Sequence, residues 1–268
     1  MDNAQLLKRG NSMGKAVKKK ESTEVSVDVS DMFEMDAGSG LQDMGQEDLA
    51  LPFLKVLSGN DPILDEDDSL RKGDIYNTVT GNAYKGGDGI QVIPCAYQRK
   101  FIEWMPRGEG SGAPKNIYDH DDERPKTERS PDDNKDYVVG GDGEYIEETH
   151  QHFVIVLNED GSAETALIAM KSTQLKKSRK WNSMMQSVQM TGKNGPFNPP
   201  RYSHIYQMKT VKEENSKGSW HGWEMSRVGP IKDVGIYKRA KEFHDSISTG
   251  DVLVKHEQEQ TAATKDVF

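Results

Sequence analysis

The sequence predicts a mainly β domain of the α+β class: a five-stranded barrel with a helix between its third and fourth strands, a C-terminal helix and disordered tails. Three observations predict it. Runs of β-forming residues bounded by turn residues fall at 89–104, 151–157, 163–170, 202–211 and 219–228. A stretch with helical apolar spacing lies between the third and fourth of these runs. Both chain ends lack apolar periodicity, which places the folded part between them.

Residues 1–48 pass from a basic patch (Lys15, Lys18, Lys19, Lys20) into an acidic stretch (Glu21, Glu24, Asp28, Asp31, Glu34, Asp36). Such a segment buries too little apolar surface to offset chain entropy, so disorder is expected. Folding is expected to begin at Leu49–Leu57. A hairpin follows from Gly73 to Lys85, with Ile75–Val79 as a strand and Thr80-Gly81-Asn82 as its turn. The first long strand, Gly89–Trp104, carries Pro94, which points to a bulge or an edge. Residues 106–143 read as an irregular surface insertion broken by Gly108, Gly110, Gly112, Pro114, Pro125 and Pro131. Its glycines lead to the expectation that it closes over a bound strand.

His152–Leu157 and Ala163–Met170 form a hairpin around Asn158-Glu159-Asp160-Gly161. A helix is expected over 172–190, because Leu175, Trp181, Met184, Met185 and Val188 share one face. Gly192, Gly195 and Pro199-Pro200 end it. Tyr202–Val211 and Trp220–Val228 form a second hairpin across Asn215–Gly218. Asp233–Ser248 is an amphipathic helix with Ile236, Tyr237, Ala240, Phe243 and Ile247 on its apolar face. That order is the order of an oligonucleotide-binding (OB-like) barrel. The domain is expected to span 49–250, with 251–268 as a flexible tail.

Composition restricts function further. Cys95 is the single cysteine, which excludes an internal disulfide and a cysteine-based zinc cluster and marks it as a small buried apolar residue. The sequence has no apolar run of membrane-spanning length and no signal-peptide pattern, so a soluble protein of a reducing, cytoplasmic compartment is expected. No cofactor or catalytic set is expected. The acidic loop Asp119-His120-Asp121-Asp122-Glu123 matches no ligand spacing and reads as a hydrated loop rather than a nuclease metal site. His150 and His152 share a strand face, but no third ligand is visible. Gly86-Gly87-Asp88-Gly89 and Gly140-Gly141-Asp142-Gly143 read as turns, since neither precedes a helix as a phosphate-cradling loop must.

Charge distribution carries the functional signal. The chain has 44 acidic residues, yet none between 165 and 212, where base rates give about eight. That window holds Lys171, Lys176, Lys177, Arg179, Lys180, Lys193, Arg201, Lys209 and Lys212, with Trp181, Phe197, Tyr202 and Tyr206 among them. Cations interleaved with aromatic rings suit a polyanion with stackable bases. The string Lys171–Trp181 opens a helix whose free N–H groups favour a phosphate oxygen. Trp181 is in register with Met184, Met185 and Val188, so it belongs to the core. Tyr202, Tyr206, Trp220 and Trp223 are the stacking candidates; Tyr202, His204 and Tyr206 share one strand face.

Lys171–Trp181, Tyr202–Thr210 and Gly218–Trp223 with Gly229 following resemble the single-stranded DNA-binding proteins of tailed bacteriophages, over roughly Leu49–Gly250. The resemblance implies non-catalytic coating of single strands during phage DNA replication and recombination. The cations and aromatic residues themselves, rather than the resemblance, give the expected binding set of Lys171, Lys176, Lys177, Arg179, Lys180, Arg201, Tyr202, Tyr206, Lys209, Trp220 and Trp223. The resemblance also implies recruitment of phage replication proteins by a tail ending in Asp266-Val267-Phe268, through Asp266 and Phe268, and is compatible with a homo-oligomer. Lys255 and Lys265 make that tail less acidic than the resemblance implies. The alternative is a phage structural or assembly protein whose basic face meets another protein.

Overall fold

The computed structural model of the protein describes residues 29–40, 49–106, 108–216, 218–252 and 254–256. The chain divides into two units, 1–43 and 44–268. In the first, Val29–Met35 forms a short helix, α1, with Val29, Met32, Phe33 and Met35 exposed. The disorder expected for 1–48 otherwise concerns 1–28 and 41–48, outside the described residues, and so do Asp266 and Phe268.

The second unit begins with a small antiparallel sheet of β1 (Leu54–Val56), β2 (Ile75–Asn77) and β3 (Ala83–Tyr84), with a short helix α2 (Ile63–Glu66) between its first two strands. The expected hairpin is β2–β3. Asn77 Oδ1 accepts hydrogen bonds from the backbone N–H groups of Val79 and Thr80, and Gly81 supplies the left-handed φ of +74°.

The main sheet is antiparallel, eight-stranded and curled into a half-barrel. Its long strands are β4 (Ile90–Trp104), β8 (Tyr145–Leu157), β9 (Ala163–Lys171), β12 (His204–Asn215) and β13 (Gly218–Pro230). They run in the order β13-β12-β4-β8-β9. All five expected strands are therefore present in one sheet. Closing a five-stranded barrel requires the outer strands β9 and β13 to pair, and among the described residues they do not. The N-terminal segment stands there instead: Pro52 O accepts from Leu167 N–H, Phe53 forms a parallel bridge with Leu167, and β1 lies against β9 and β13.

Pro94 produces the expected bulge. The register passes from Pro94 opposite Val154 to Ala96 opposite Phe153, leaving Cys95 as the extra residue. Both faces of the sheet are covered. The inner face packs Val92, Val154, Val156, Ile168, Met208 and Met225 around Trp181 of helix α3 (Leu175–Gln186). The outer face packs Ile93, Phe153, Ile155 and Leu167 against Ala240, Phe243 and Ile247 of helix α4 (Val234–Thr249). Asp233 caps α4 by accepting from Ile236 N–H, and Gly250 ends it in the left-handed conformation (φ +84°). Among the described residues no helix is long and apolar enough to cross a membrane.

Three expectations are corrected here. The insertion contains β5 (Asn116–Asp119), paired with β4, and β6 (Thr127–Arg129) with β7 (Asp136–Val138), which extends β8. These strands are too short to show a period in the sequence. The helix expected to reach 190 stops at Gln186. Asn198 Nδ2 donates to the Gln186 and Val188 carbonyls and so satisfies orphaned acceptors at that end. Met190–Gly192 (β10) and Gly195–Phe197 (β11) then form a separate hairpin. Finally, the start of the C-terminal tail is packed: Val252 and Val254 join the outer cluster, and His256 contacts Gln151 and the edge of the Phe53 ring.

Candidate functional site

The acid-free window does not form one continuous cationic face, because carboxylates from distant parts of the chain reach it. Lys177 pairs with Glu213 at 2.7 Å, Lys171 with Glu147 at 3.3 Å, and Arg179 with Glu148 at 3.6 Å. Lys176 and Lys180 on α3 are exposed, with no ion pair among the described residues. Lys209 is half-buried opposite Glu224 in the β12–β13 register. The 3-10 turn Ser172–Gln174 that opens α3 carries Ser172 at φ +48°, and Gln174 makes no side-chain cap. Gln174 Oε1 instead accepts from Trp223 N–H.

Two expected stacking residues are excluded by burial. Tyr206 is 1% exposed and Trp223 3% exposed, both inside the half-barrel. Alternation placed Tyr206 on one face with His204, but that face turns inward. Tyr202 leaves the expected strand altogether. It lies in the 3-10 turn Arg201–Ser203, and its ring packs against Tyr237 and His244 of α4. Trp220 is half-buried on the β12–β13 ribbon and donates its indole N–H to Glu213, its cross-strand partner, at 3.0 Å.

What the fold does assemble is a patch around Tyr97 of β4. Beyond the Cys95 bulge, Tyr97 lies opposite His152 and Arg99 opposite His150, so these four side chains share one face of β4–β8. Glu148 lies on the same face of β8. Its Oε1 is 2.9 Å from His150 Nε2, 3.6 Å from Arg179 Nη2 and 3.8 Å from Arg99 Nε. Arg201 enters from the 3-10 turn before β12. Its guanidinium lies over the Tyr97 ring at 5.3 Å, donates to Asn182 Oδ1 and meets Met185 Sδ at 3.4 Å.

Two arginines, from β4 and α3, thus approach a single carboxylate, while Arg201 from the turn before β12 lies over the Tyr97 ring. Among the described residues no carboxylate lies within 4 Å of Arg201, and burial pushes its pKa down to about 10. The guanidinium remains charged at neutral pH. Beneath the patch, Tyr97, His152, Trp181 and Tyr206 form an aromatic column with successive ring centroids 5.1, 4.7 and 5.9 Å apart. Burial holds His150 below the usual histidine range and His152 well below it, so the histidines add no charge here at neutral pH.

Of the residues expected from sequence, the fold brings Arg179 to Glu148 and Arg201 to the Tyr97 ring, while Lys177 and Trp220 meet at Glu213. Tyr97, Arg99, His150 and Asn182 were missed. A signal existed for two of them: Tyr97 and Arg99 are an aromatic and a cation at alternate positions just beyond a proline bulge. The acidic loop is engaged in contacts within the protein. Asp119 pairs with Lys100, the Asp122 carboxylate accepts from Asp119 N–H, and Arg124 lies over the Phe101 ring while donating to the Asp119 and His120 carbonyls. Among the described residues no group of histidine, cysteine and carboxylate side chains is placed to hold a metal ion.

Glu148, His150 and Ser178 invite comparison with an acid–base–nucleophile triad, since Ser178 Oγ lies 2.7 Å from His150 Nδ1. The geometry does not serve that chemistry. Ser178 is fully buried under α3, and its hydroxyl is equally close to His152 Nε2, at 2.7 Å. A nucleophile must reach an external carbonyl, and this one is enclosed.

A search of curated proteins and of solved structures returned no match. The stretch 19–253, which takes in both the arginine patch and the half-barrel that carries it, matches the model of a phage family described as Pam3 phage gp34-like protein, and the chain belongs to that family.

Proposed function

We propose that the protein binds single-stranded DNA without catalysing a reaction on it, through the arginine patch and the adjoining exposed lysines of α3, during replication or recombination of phage DNA. The observation that carries this reading is the approach of Arg99 and Arg179 to one carboxylate, with the Arg201 guanidinium over the half-buried Tyr97 ring. Planar guanidinium groups match phosphate oxygens in pairs, and a nearby aromatic ring offers a sequence-tolerant platform for a base. Lys176 and Lys180 extend the positive surface along α3. The OB-like strand order supports the same reading, with β1 standing where barrel closure would be.

The test is fluorescence anisotropy of a labelled ~30-nucleotide oligo-dT at two salt concentrations. Intrinsic tryptophan quenching is a poorer probe, since Trp104, Trp181 and Trp223 are all buried. Affinity is expected to fall with salt, and the log–log slope to drop by roughly 0.7 for each arginine replaced by alanine. Absence of binding at low salt would overturn the reading.

A second reading is favoured by one separate observation. An apolar groove lined by Leu157, Ile205, Val228, Ile231 and Ile236 runs between strand ends and the start of α4, with Val228 and Val234 more than half exposed beside it. Such a surface suits a protein contact in phage assembly. A defined multimer by light scattering, with no oligonucleotide affinity, would favour it.

A further inference from the structure

Glu148 holds an unusual place in the arginine patch. One of its carboxylate oxygens is fixed at 2.9 Å by His150, while Arg99 and Arg179 approach that oxygen only to 3.8 and 3.6 Å. Those two separations exceed ordinary hydrogen-bond length, so the arginines are held there by Coulomb attraction alone. Arg99 and Arg179 keep 44% and 61% of their side-chain surface exposed. Arg201, across the Tyr97 ring, has no carboxylate within 4 Å among the described residues. Two positive charges therefore face one negative charge, and both hold it loosely.

We infer that Arg99 and Arg179 form a binding site for a phosphate group and that Glu148 is its internal competitor, a tethered anion that a phosphate must displace from the two arginines. The inference rests on the single-stranded DNA reading only in taking the ligand as a backbone phosphodiester. The same donors would accept the oxygens of any accessible phosphate. A phosphate offers paired oxygens to two guanidinium forks at once, which the His150-held carboxylate cannot do. On displacement, Glu148 keeps its hydrogen bond to His150, so its release from the arginines requires no rearrangement of the core. Tyr97, on the same strand face as Arg99, presents its ring beside that phosphate.

The chemistry predicts an inverted charge effect with a specific location. Glu148→Gln keeps an acceptor for His150 but removes the competitor, and should tighten binding of labelled oligo-dT by about fivefold to tenfold. Glu147→Gln removes the same charge one residue away, on the opposite face of β8, and should change affinity by less than about twofold. In an Arg99→Ala/Arg179→Ala background the gain from Glu148→Gln should vanish, because the carboxylate acts through those two side chains. Equal gains from Glu147→Gln and Glu148→Gln, or a gain that survives in the double-arginine background, would overturn the inference while leaving DNA binding intact.

Inorganic pyrophosphate supplies an independent arm. It should raise the melting temperature of the Glu148→Gln protein more than that of the unaltered chain, and leave Arg99→Ala/Arg179→Ala unmoved. That result without any oligonucleotide affinity would retain the phosphate site and remove the DNA reading. No stabilisation of either protein by pyrophosphate, together with no oligonucleotide binding, would remove both. Circular dichroism of each variant establishes that the fold is kept.

Discussion

The hydroxyl of Ser178 lies 2.7 Å from His150 Nδ1 and fastens α3 to β8 from inside the half-barrel. The same oxygen is 2.7 Å from His152 Nε2, so one buried hydroxyl serves two buried rings. A hydroxyl can donate one hydrogen bond and accept others, which makes serine a suitable residue between two imidazoles. Ser178→Ala leaves two ring nitrogens without partners, each costing about 1–3 kcal/mol. The variant is expected to lose about 2–4 kcal/mol by urea denaturation. A loss within about 0.5 kcal/mol would show that the two contacts are energetically idle.

Acid should destabilise the fold through its histidines before it reaches the carboxylates. Burial lowers the pKa of His150, His152, His204 and His256, the last to about 4, with Lys171 and Lys100 adding to the effect at His256. Around His150 and His152 the charged neighbours are Glu148, Arg99, Arg179 and Arg201. Glu148 favours protonation of His150 but does not outweigh burial. An unfolded histidine titrates near 6.5, so above that pH both states are neutral and no stability is lost. Below it the unfolded chain takes up protons that the folded one refuses. Stability then falls as pH drops from about 6.5 toward 4, by up to about 1.4 kcal/mol per pH unit for each such group. Urea midpoints at pH 7.5, 6 and 5 should decline in that order, and a flat profile would contradict the burial argument.

The strands and α4 were legible in the sequence because each carries its own pattern. Alternation marked β8, β9, β12 and β13, Pro94 marked the bulge, and Asp233 and Gly250 bracket α4 as expected of caps. The positions of Tyr206 and Trp223 were not legible, because alternation identifies two faces without saying which is buried, and here both faces are covered. The acid-free window overstated the positive surface for a related reason. Glu147, Glu148 and Glu213 neutralise it, and the first two precede the window by over fifteen residues. Arg99 and Arg179 meet only through the pairing of β4 with β8 and the packing of α3, a relationship that no local spacing records.

The insertion should behave as a latched extension of the sheet, in contrast to the mobile cover its glycines imply. Lys115 Nζ lies 3.0 Å from Glu103 and 2.7 Å from Glu144, joining the start of the insertion to both strands of the β4–β8 hairpin. Glu103 is almost wholly buried. Burial raises its pKa, but hydrogen bonds from Tyr118, Asn116 and Lys115 outweigh that and keep the carboxylate charged. Lys115→Met removes the cation while Glu103 stays buried, which should destabilise the fold, although Tyr118 and Asn116 still satisfy part of the carboxylate. Limited proteolysis should then cut near Gly108–Gly112 faster than in the unaltered protein. Equal cutting rates would show that the strand pairing of β5 with β4 holds the insertion without this cation.

Cys95 offers a direct reading of how the outer face opens. Its thiol is fully enclosed at the β4 bulge, beneath α4, and burial pushes its pKa up to about 12. A thiol in that state contributes almost no thiolate at neutral pH, and reagents cannot reach it. His244 of α4 contacts the Cys95 carbonyl at 2.9 Å, so α4 must move for the sulfur to be exposed. Native protein should therefore react with a disulfide reagent only as fast as α4 detaches, and urea should accelerate labelling before global unfolding if α4 opens first. Phe243→Ala, which empties part of the α4 contact with Phe153, should speed labelling by at least about tenfold, in line with a loss of about 3–5 kcal/mol. Labelling at the rate of a free cysteine in the unaltered protein would show that α4 does not cover the bulge in solution.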